Sequence, residues 1–361
     1  MWNISELIIA FVISCVTALL VTPLISKLAK KLNVVDKPDN NRKSHKGARP
    51  SMGGLAIFIG AAAGFMYLEP VDEQMNAIVI GACIMVITGL LDDMFEIRAL
   101  YKLAGQIAAA LVVVSSGLVI EKMTIPFAGT VYMDNFGIIL TILWIVAASN
   151  AINLIDGLDG LAAGVSAIGL SSILVMAFID YRLVVVYLSV ILIGSCIGFL
   201  FHNFHPAKIF MGDTGALFLG YSIAIVAMLG LFKNVAFFSF IVPIIVIAVP
   251  VFDTILAIIR RAINHQGIAT ADKQHIHYQL MHMGYSHRGS VLIIYAFSVF
   301  FGLMAIIFNS ATLLTSLFLF GFIIIGIQLI AEIAGVTIYN RQPLLDAFRR
   351  LIGIRHLDKM K

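Results

Sequence analysis

The segment SNAINLIDGLDG at 149–160 places Asn150, Asn153, Asp156 and Asp159 between two strongly apolar runs, ILTILWIVAA and LAAGVSAIGLSSILVMAF. Asn153, Asp156 and Asp159 recur at i, i+3 and i+6, so on a helix they would drift slowly around one face. Gly157 and Gly160 argue against an uninterrupted helix there. Asp92 and Asp93 form an adjacent pair ending another apolar run, and Asp213 stands in MGDTG where a loop meets a third. Neighbouring carboxylates at a membrane edge repel, which raises their pKa values or draws in a cation; a solvated pair facing water is the alternative. Asp213 suits a magnesium ligand, because that ion takes a few carboxylates together with substrate phosphates. Lys46, Arg49 and Lys102 are ordinary basic anchors when taken singly. His275 and His277, at i and i+2, cannot share a helix face and fit an extended or turned loop. Zinc is the rival use for those two rings, but no Cys accompanies them. Carboxylates for a divalent cation, with Lys, Arg and His for phosphate oxygens, form the equipment for handling a phosphoanhydride.

These residues need a scaffold, and composition describes it. Of the 361 residues 60% are hydrophobic and 12% charged, against roughly 25% charged in soluble domains. Such a chain cannot hide its apolar surface in one core, and it reads as a polytopic membrane protein. Eleven apolar runs centre on 7–26, 52–68, 75–91, 104–120, 136–149, 161–179, 183–201, 214–232, 235–262, 290–308 and 311–334. The first is a full span followed by a basic loop, not a cleaved leader. The fifth is short enough to be half of a broken helix. With the N-terminus outside, 21 of the 24 Lys and Arg fall on the cytoplasmic side, leaving Lys122, Arg182 and Lys233 opposite. The expected fold is an all-α membrane domain, 1–361, of ten or eleven transmembrane helices, with the C-terminus and a basic tail (335–361) in the cytoplasm. Cys15, Cys83 and Cys196 lie inside apolar runs and read as small hydrophobes.

Every polar island then falls on the cytoplasmic side. They are HKGARPSMGG (45–54), LLDDMFEIRALYK (90–102), the opening segment, FHNFHPAKIFMGDTG (201–215) and ADKQHIHYQLMHMGYSHR (271–288). Five islands on one face predict a single site built from loops and helix ends. A proton-coupled transporter also carries intramembrane carboxylates, but it should show inverted repeats and polar groups reaching the outer side, and neither is found.

The set DDxxxxR, NAxNxxDGLDGLAxG, HNFxPAxxFMGDTG and DxQHIHxxL resembles the polyprenyl-phosphate N-acetylhexosamine-1-phosphate transferases over roughly residues 40–290. The resemblance implies transfer of a sugar 1-phosphate from a UDP-sugar to a membrane polyprenyl phosphate, with release of UMP. The branch using UDP-MurNAc-pentapeptide in peptidoglycan synthesis typically shows three consecutive histidines where this chain has QHIHY. That sequence is similar to the UDP-GlcNAc branch, although Tyr278 stands where many relatives carry another His. The chain most resembles the Gram-positive enzymes that initiate wall teichoic acid synthesis. By the same resemblance the partners are UDP-GlcNAc and undecaprenyl phosphate, with no nucleic acid and with room for a homodimer. The location is the bacterial plasma membrane, and the cofactor is Mg²⁺, for which Mn²⁺ can substitute.

Residue roles carried over by motif follow. Asp213 and Asn153 match the magnesium site, Phe210 an aromatic packing on uracil, and Asp156 and Asp159 the nucleotide pocket. Lys46, Lys102, His275 and His277 match contacts to phosphates or sugar, and Ser51, Asn150 and Asn203 join the substrate-binding set. Asp92, Asp93 and Asp213 form the catalytic set, with Asp92 deprotonating the lipid phosphate; attack by one of the pair to form a phospho-sugar enzyme is the alternative. The ninth run has 28 residues, about 42 Å of helix, and contains Pro243 and Pro250, so a kink or break is expected. A bent helix there would open a lateral groove for a long isoprenoid, with Asp253 either a helix-end polar group or a wall of the site.

Overall fold

Apolar runs separated by short polar seams send the chain back and forth as antiparallel helices, because a backbone in hydrocarbon must satisfy its own hydrogen bonds. A computed structural model describes residues 3–36, 49–125, 129–230, 241–263, 274–335 and 343–346. Helix α1 (Ile4–Lys31) leads to a two-residue clip, β1 (Val35–Asp36) paired antiparallel with β2 (Arg49–Pro50). Then come α2 (Gly54–Leu68), α3 (Met75–Phe95) and α4 (Ala99–Ser115). A hairpin follows, β3 (Lys122–Ile125) with β4 (Gly129–Tyr132), at the end of the bundle opposite the polar islands. Next are α5 (Asp134–Ile155), α6 (Leu161–Ile179), α7 (Leu183–Asn203) and α8 (Gly212–Gly230). The remaining elements are α9 (Ile241–Val246), α10 (Ala248–Ile263), α11 (Ile276–His282), α12 (His287–Asn309) and α13 (Leu313–Ile333). Ser286 and Thr312 start the last two long helices by accepting the N–H of Gly289 and Thr315.

Among the described residues eight helices are long and apolar enough to cross a membrane: α1, α3, α5, α6, α7, α8, α12 and α13. Four of the eleven expected runs differ. The second and fourth give the shorter apolar helices α2 and α4, of 15 and 17 residues. The ninth is described from Ile241 onward as two helical segments, α9 and α10, with Ile247 between them and Pro243 and Pro250 inside them; its start at 235–240 lies outside the described residues. The fifth run is no half-helix: α5 continues for 22 residues. Its polar residues bond sideways instead of breaking the turn, Asn150 exchanging amide hydrogen bonds with Gln106 on α4 at 2.9 and 3.3 Å.

The core sits around α8, buried from Thr214 to Gly230 and packed between α3, α5, α2 and α6. The flanking α1 keeps a lipid-facing side of exposed Ile, Leu and Val. Helix α1 approaches α7 closely through small residues: a Cβ on Gly198 would stand 2.1 Å from the Cys15 carbonyl oxygen. This antiparallel winding brings the C-terminal ends of α3, α5 and α7 to the N-terminal ends of α4, α6 and α8. The polar islands therefore meet at one end.

Candidate active site

Helix α3 runs four residues past the expected 91, so Asp92 and Asp93 occupy its last turn. The chain reverses through Glu96, which has a positive φ of 47°, and α4 returns Lys102 beside them. Lys102 Nζ donates to Asp92 Oδ2 at 2.9 Å and to Asp213 Oδ2 at 2.6 Å. One ammonium thus bridges two carboxylates from different helices. Asp93 faces the other way. Its Oδ1 accepts the N–H of Asp213 at 2.8 Å, and its Oδ2 accepts the N–H and the hydroxyl of Thr214. Those N–H groups open α8 and would otherwise be unpaired. Asp93 therefore serves as a long-range cap on α8 from within the cavity lining. Gly212 makes the turn possible, with φ at +72° and no room for a Cβ beside the Asp93 carboxylate.

The segment 49–54 is drawn against 210–211 by backbone bonds: Phe210 N to Pro50 O, Gly53 N to Phe210 O and Gly54 N to Met211 O. This places Ser51 and Phe210 side by side, with the Arg49 guanidinium 5.5 Å from the Phe210 ring centre. Between α5 and α6 the loop Asp156–Gly160 is fastened by Asn203, whose Oδ1 accepts from Gly160 N at 3.0 Å while its Nδ2 donates to Ile209 O at 2.9 Å. Tyr295 donates its hydroxyl to Gly160 O at 2.6 Å.

These elements enclose a cavity of about 1000 Å³ lined by, among others, Ser51, Asp92, Asp93, Asn153, Asp156, Asp159, Asn203, Phe210 and Asp213. Nine of the expected site residues thus share one cavity, and Lys102 reaches it through its two carboxylates. Asn150 is spent on Gln106, away from the cavity. Lys46 lies outside the described residues, as does nearly all of the basic tail. His275 and His277 are buried and do not line the cavity; Tyr278 and Met281 of α11 do. His277 lies against the Asp156–Gly160 loop so closely that a Cβ on Gly157 would meet its Nε2 at 2.2 Å. Burial holds the His277 imidazole down to about 4, and neither ring nitrogen has a hydrogen-bond partner among the described residues.

The cavity has two unlike walls. On one stand Asp92, Asp93, Asp156 and Asp213 with Lys102 among them. Burial, reinforced by the charges of Asp213, Asp93 and Asp159, pushes the Asp156 carboxyl up to about 8. On the other, Asp159 accepts from Arg49 Nη1 at 3.2 Å and from Ala207 N at 3.0 Å, and pairs with His205 Nδ1 at 2.7 Å. Burial alone would raise it, but these partners, with His287, hold its carboxyl below the usual value. His205 and His287 stack at 4.2 Å, and His287 Nε2 accepts the N–H of Asp159 at 3.0 Å.

Either wall offers metal-ligand atoms. Those of Asp159, His205 and His287 lie within 4.8 Å of one another. There, however, a cation would have to displace the Arg49 guanidinium and the Ala207 N–H, so this wall is a hydrogen-bonding surface. The acidic wall fits magnesium better. Its donors are hard oxygens in excess of their countercharge, and an ammonium already sits where positive charge is needed. His205, His287, Arg49 and Tyr278 are cavity residues with no assigned role in the sequence reading. Arg49 taken singly reads as a basic anchor, and the two histidines meet from the loop after α7 and the start of α12, far apart in the sequence.

A family model described as "Glycosyl transferase family 4" matches residues 75–231. Over 349 residues the chain is 48% identical to a Bacillus subtilis (strain 168) protein named "Probable undecaprenyl-phosphate N-acetylglucosaminyl 1-phosphate transferase", covering 96% of this chain and 97% of that one. It is 35% identical over 327 residues to a Mycobacterium leprae "Decaprenyl-phosphate N-acetylglucosaminephosphotransferase", covering 81% of each chain. An Escherichia coli (strain K12) "Undecaprenyl-phosphate alpha-N-acetylglucosaminyl 1-phosphate transferase" is 28% identical over 278 residues, covering 74% of each.

Proposed function

The chain belongs to glycosyl transferase family 4, and from that membership we propose that it transfers N-acetylglucosamine 1-phosphate from UDP-GlcNAc to undecaprenyl phosphate, releasing UMP. The observation that carries this reading is the Asp92–Lys102–Asp213 bridge, set in a cavity whose opposite wall presents Arg49 over Phe210. One side is equipped for phosphate charge and proton removal, the other for a flat base and its polar edge.

The obstacle in such a transfer is that two anions must meet. Asp92 accepts the proton of the lipid phosphate, whose oxygen then forms a bond to the β-phosphorus of the nucleotide sugar. The bridging P–O bond breaks and its electrons leave with UMP. Lys102 holds Asp92 and Asp213 together and lends positive charge beside the transferred group. Asp213 and Asn153 would hold a magnesium ion, with manganese able to substitute, and when bound it neutralises charge on the pyrophosphate. Asp159 orients Arg49 beside Phe210, where uracil stacks. We favour this direct attack, with Asp92 as base, over a two-step route through a phospho-sugar enzyme, which would use the same residues.

In this reading the site faces the cytoplasm of a bacterial plasma membrane, with the N-terminus outside, the C-terminus inside and ten or eleven spans. The division between α9 and α10 gives the isoprenoid a lateral berth, and the product starts a wall polymer, wall teichoic acid. The test is incubation of purified protein with magnesium, undecaprenyl phosphate and either UDP-GlcNAc or UDP-MurNAc-pentapeptide. UMP and undecaprenyl-pyrophosphoryl-GlcNAc are expected from the first donor. Turnover of the second with the first ignored would overturn the assignment.

A further inference from the structure

Asp253 lies outside the cavity lining and contributes to no step above, yet it is 2% exposed on a helix of a membrane protein. A carboxylate is retained in such a place only with partners. Its partners lie 22 and 23 residues further on. Oδ2 pairs with His275 Nδ1 at 2.9 Å, and Oδ1 accepts the N–H of Ile276 at 2.9 Å. His275 is the residue before α11 and Ile276 its first, so Asp253 does from α10 what a capping side chain does locally. Because the carboxylate accepts a hydrogen bond from Nδ1–H, it also fixes the ring and tautomer of His275. The next turn of α11 places Tyr278 and Met281 in the cavity wall and His277 against Gly157. The His275 and His277 rings are parallel to within 2° at 5.9 Å.

We infer that Asp253 is a positioning residue for the transfer reaction: its carboxylate clamps the start of α11, and thereby sets the wall that Tyr278 and Met281 present to the nucleotide sugar. The clamp joins α10, the second half of the divided ninth run, to the donor side of the cavity. The inference rests on the proposed function only for the identity of the donor; the clamp itself is independent of it.

Two substitutions separate the parts. Asp253→Ala removes both bonds. Asp253→Asn keeps an oxygen for Ile276 N but turns an N–H₂ towards His275 Nδ1, forcing the other tautomer. Hydrogen exchange of residues 276–283 in the full chain should speed up at least tenfold in Asp253→Ala and little in Asp253→Asn. The KM for UDP-GlcNAc should rise about tenfold in Asp253→Ala and less in Asp253→Asn, while the KM for undecaprenyl phosphate stays within twofold. A protein that is merely less well folded loses kcat per mole with both KM values unchanged. Unaltered exchange in Asp253→Ala overturns the clamp whatever the activity. Faster exchange with an unchanged donor KM overturns the positioning role. If the wild-type chain ignores UDP-GlcNAc, the proposed donor has failed; the exchange result still decides the clamp, and the KM of whichever UDP-sugar is used decides the positioning role.

Discussion

Asp213 and Asp159 stand beside the same cavity, each close to the start of a buried helix, yet they live in opposite electrostatic company. Asp213 shares the Lys102 ammonium with Asp92 and has Asp93 and Asp156 nearby. Asp159 is ringed by Arg49, His205, His287 and the Ala207 N–H. The first shares a single ammonium among several carboxylates, and the second is met by a guanidinium and further hydrogen-bond partners. What a carboxylate does here is decided by what it faces, and the sequence letter is the same in both cases.

If that contrast is right, the largest effect falls on the side short of positive charge. Asp213→Asn should lower kcat about a hundredfold or more and weaken the magnesium dependence, with helicity by circular dichroism unchanged. Near-normal turnover with an unaltered magnesium titration would remove the basis for distinguishing the walls. Asp92 tests the proton step on the same side. A phosphate monoester has a second pKa near ~6, so above it the acceptor needs no base. Asp92→Asn should therefore lose roughly tenfold more activity at pH 6 than at pH 9; a loss of equal depth across that range excludes the base role.

The opposite wall should respond differently. Asp159→Asn weakens the hold on Arg49 and His205, raising the KM for UDP-GlcNAc about tenfold while leaving the magnesium titration where it was. A shifted titration there would show that the walls act as one. The smallest effect concerns stability. With its pKa raised to about 8, Asp156 stays protonated in the folded chain while the unfolded chain ionises near ~4. The folded state then binds the extra proton, so stability falls as pH rises between those values and levels off above the upper one. Without magnesium, Asp156→Asn should melt a few degrees higher than wild type at pH 8 and at the same temperature near pH 4. A difference independent of pH would place the effect elsewhere.

Sequence patterning was enough to reveal the apolar runs and the gathering of polar islands at one end, because hydrophobic length and motif position are local properties. Residue type and spacing also marked Asp213 and Asp156, and the motif resemblance added Phe210; all three line the cavity. What the sequence missed depends on pairing at a distance. Asp93 looks like the twin of Asp92, but successive helical residues point about 100° apart, and Asp93 caps the start of α8 while Asp92 pairs with Lys102. Asn150 looks like part of the polar row, but it is an amide partner for Gln106. His205 and His287 sit in segments 82 positions apart and acquire meaning only when stacked beside Asp159. The fifth run reads as short because its apolar stretch stops at 149, whereas the helix continues through the polar residues to Ile155.

The cap that Asp93 places on α8 also imposes a schedule on synthesis. Its two N–H donors lie 120 and 121 residues downstream. At about 5–20 residues per second, α3 is made on the order of ten seconds before the helix start it must hold. During that interval the carboxylate has no partner and would resist burial, so the last turn of α3 has to wait in water at the membrane surface. The cavity floor can close only when α8 arrives, and a nascent chain halted before residue 212 would possess most of the bundle but no floor.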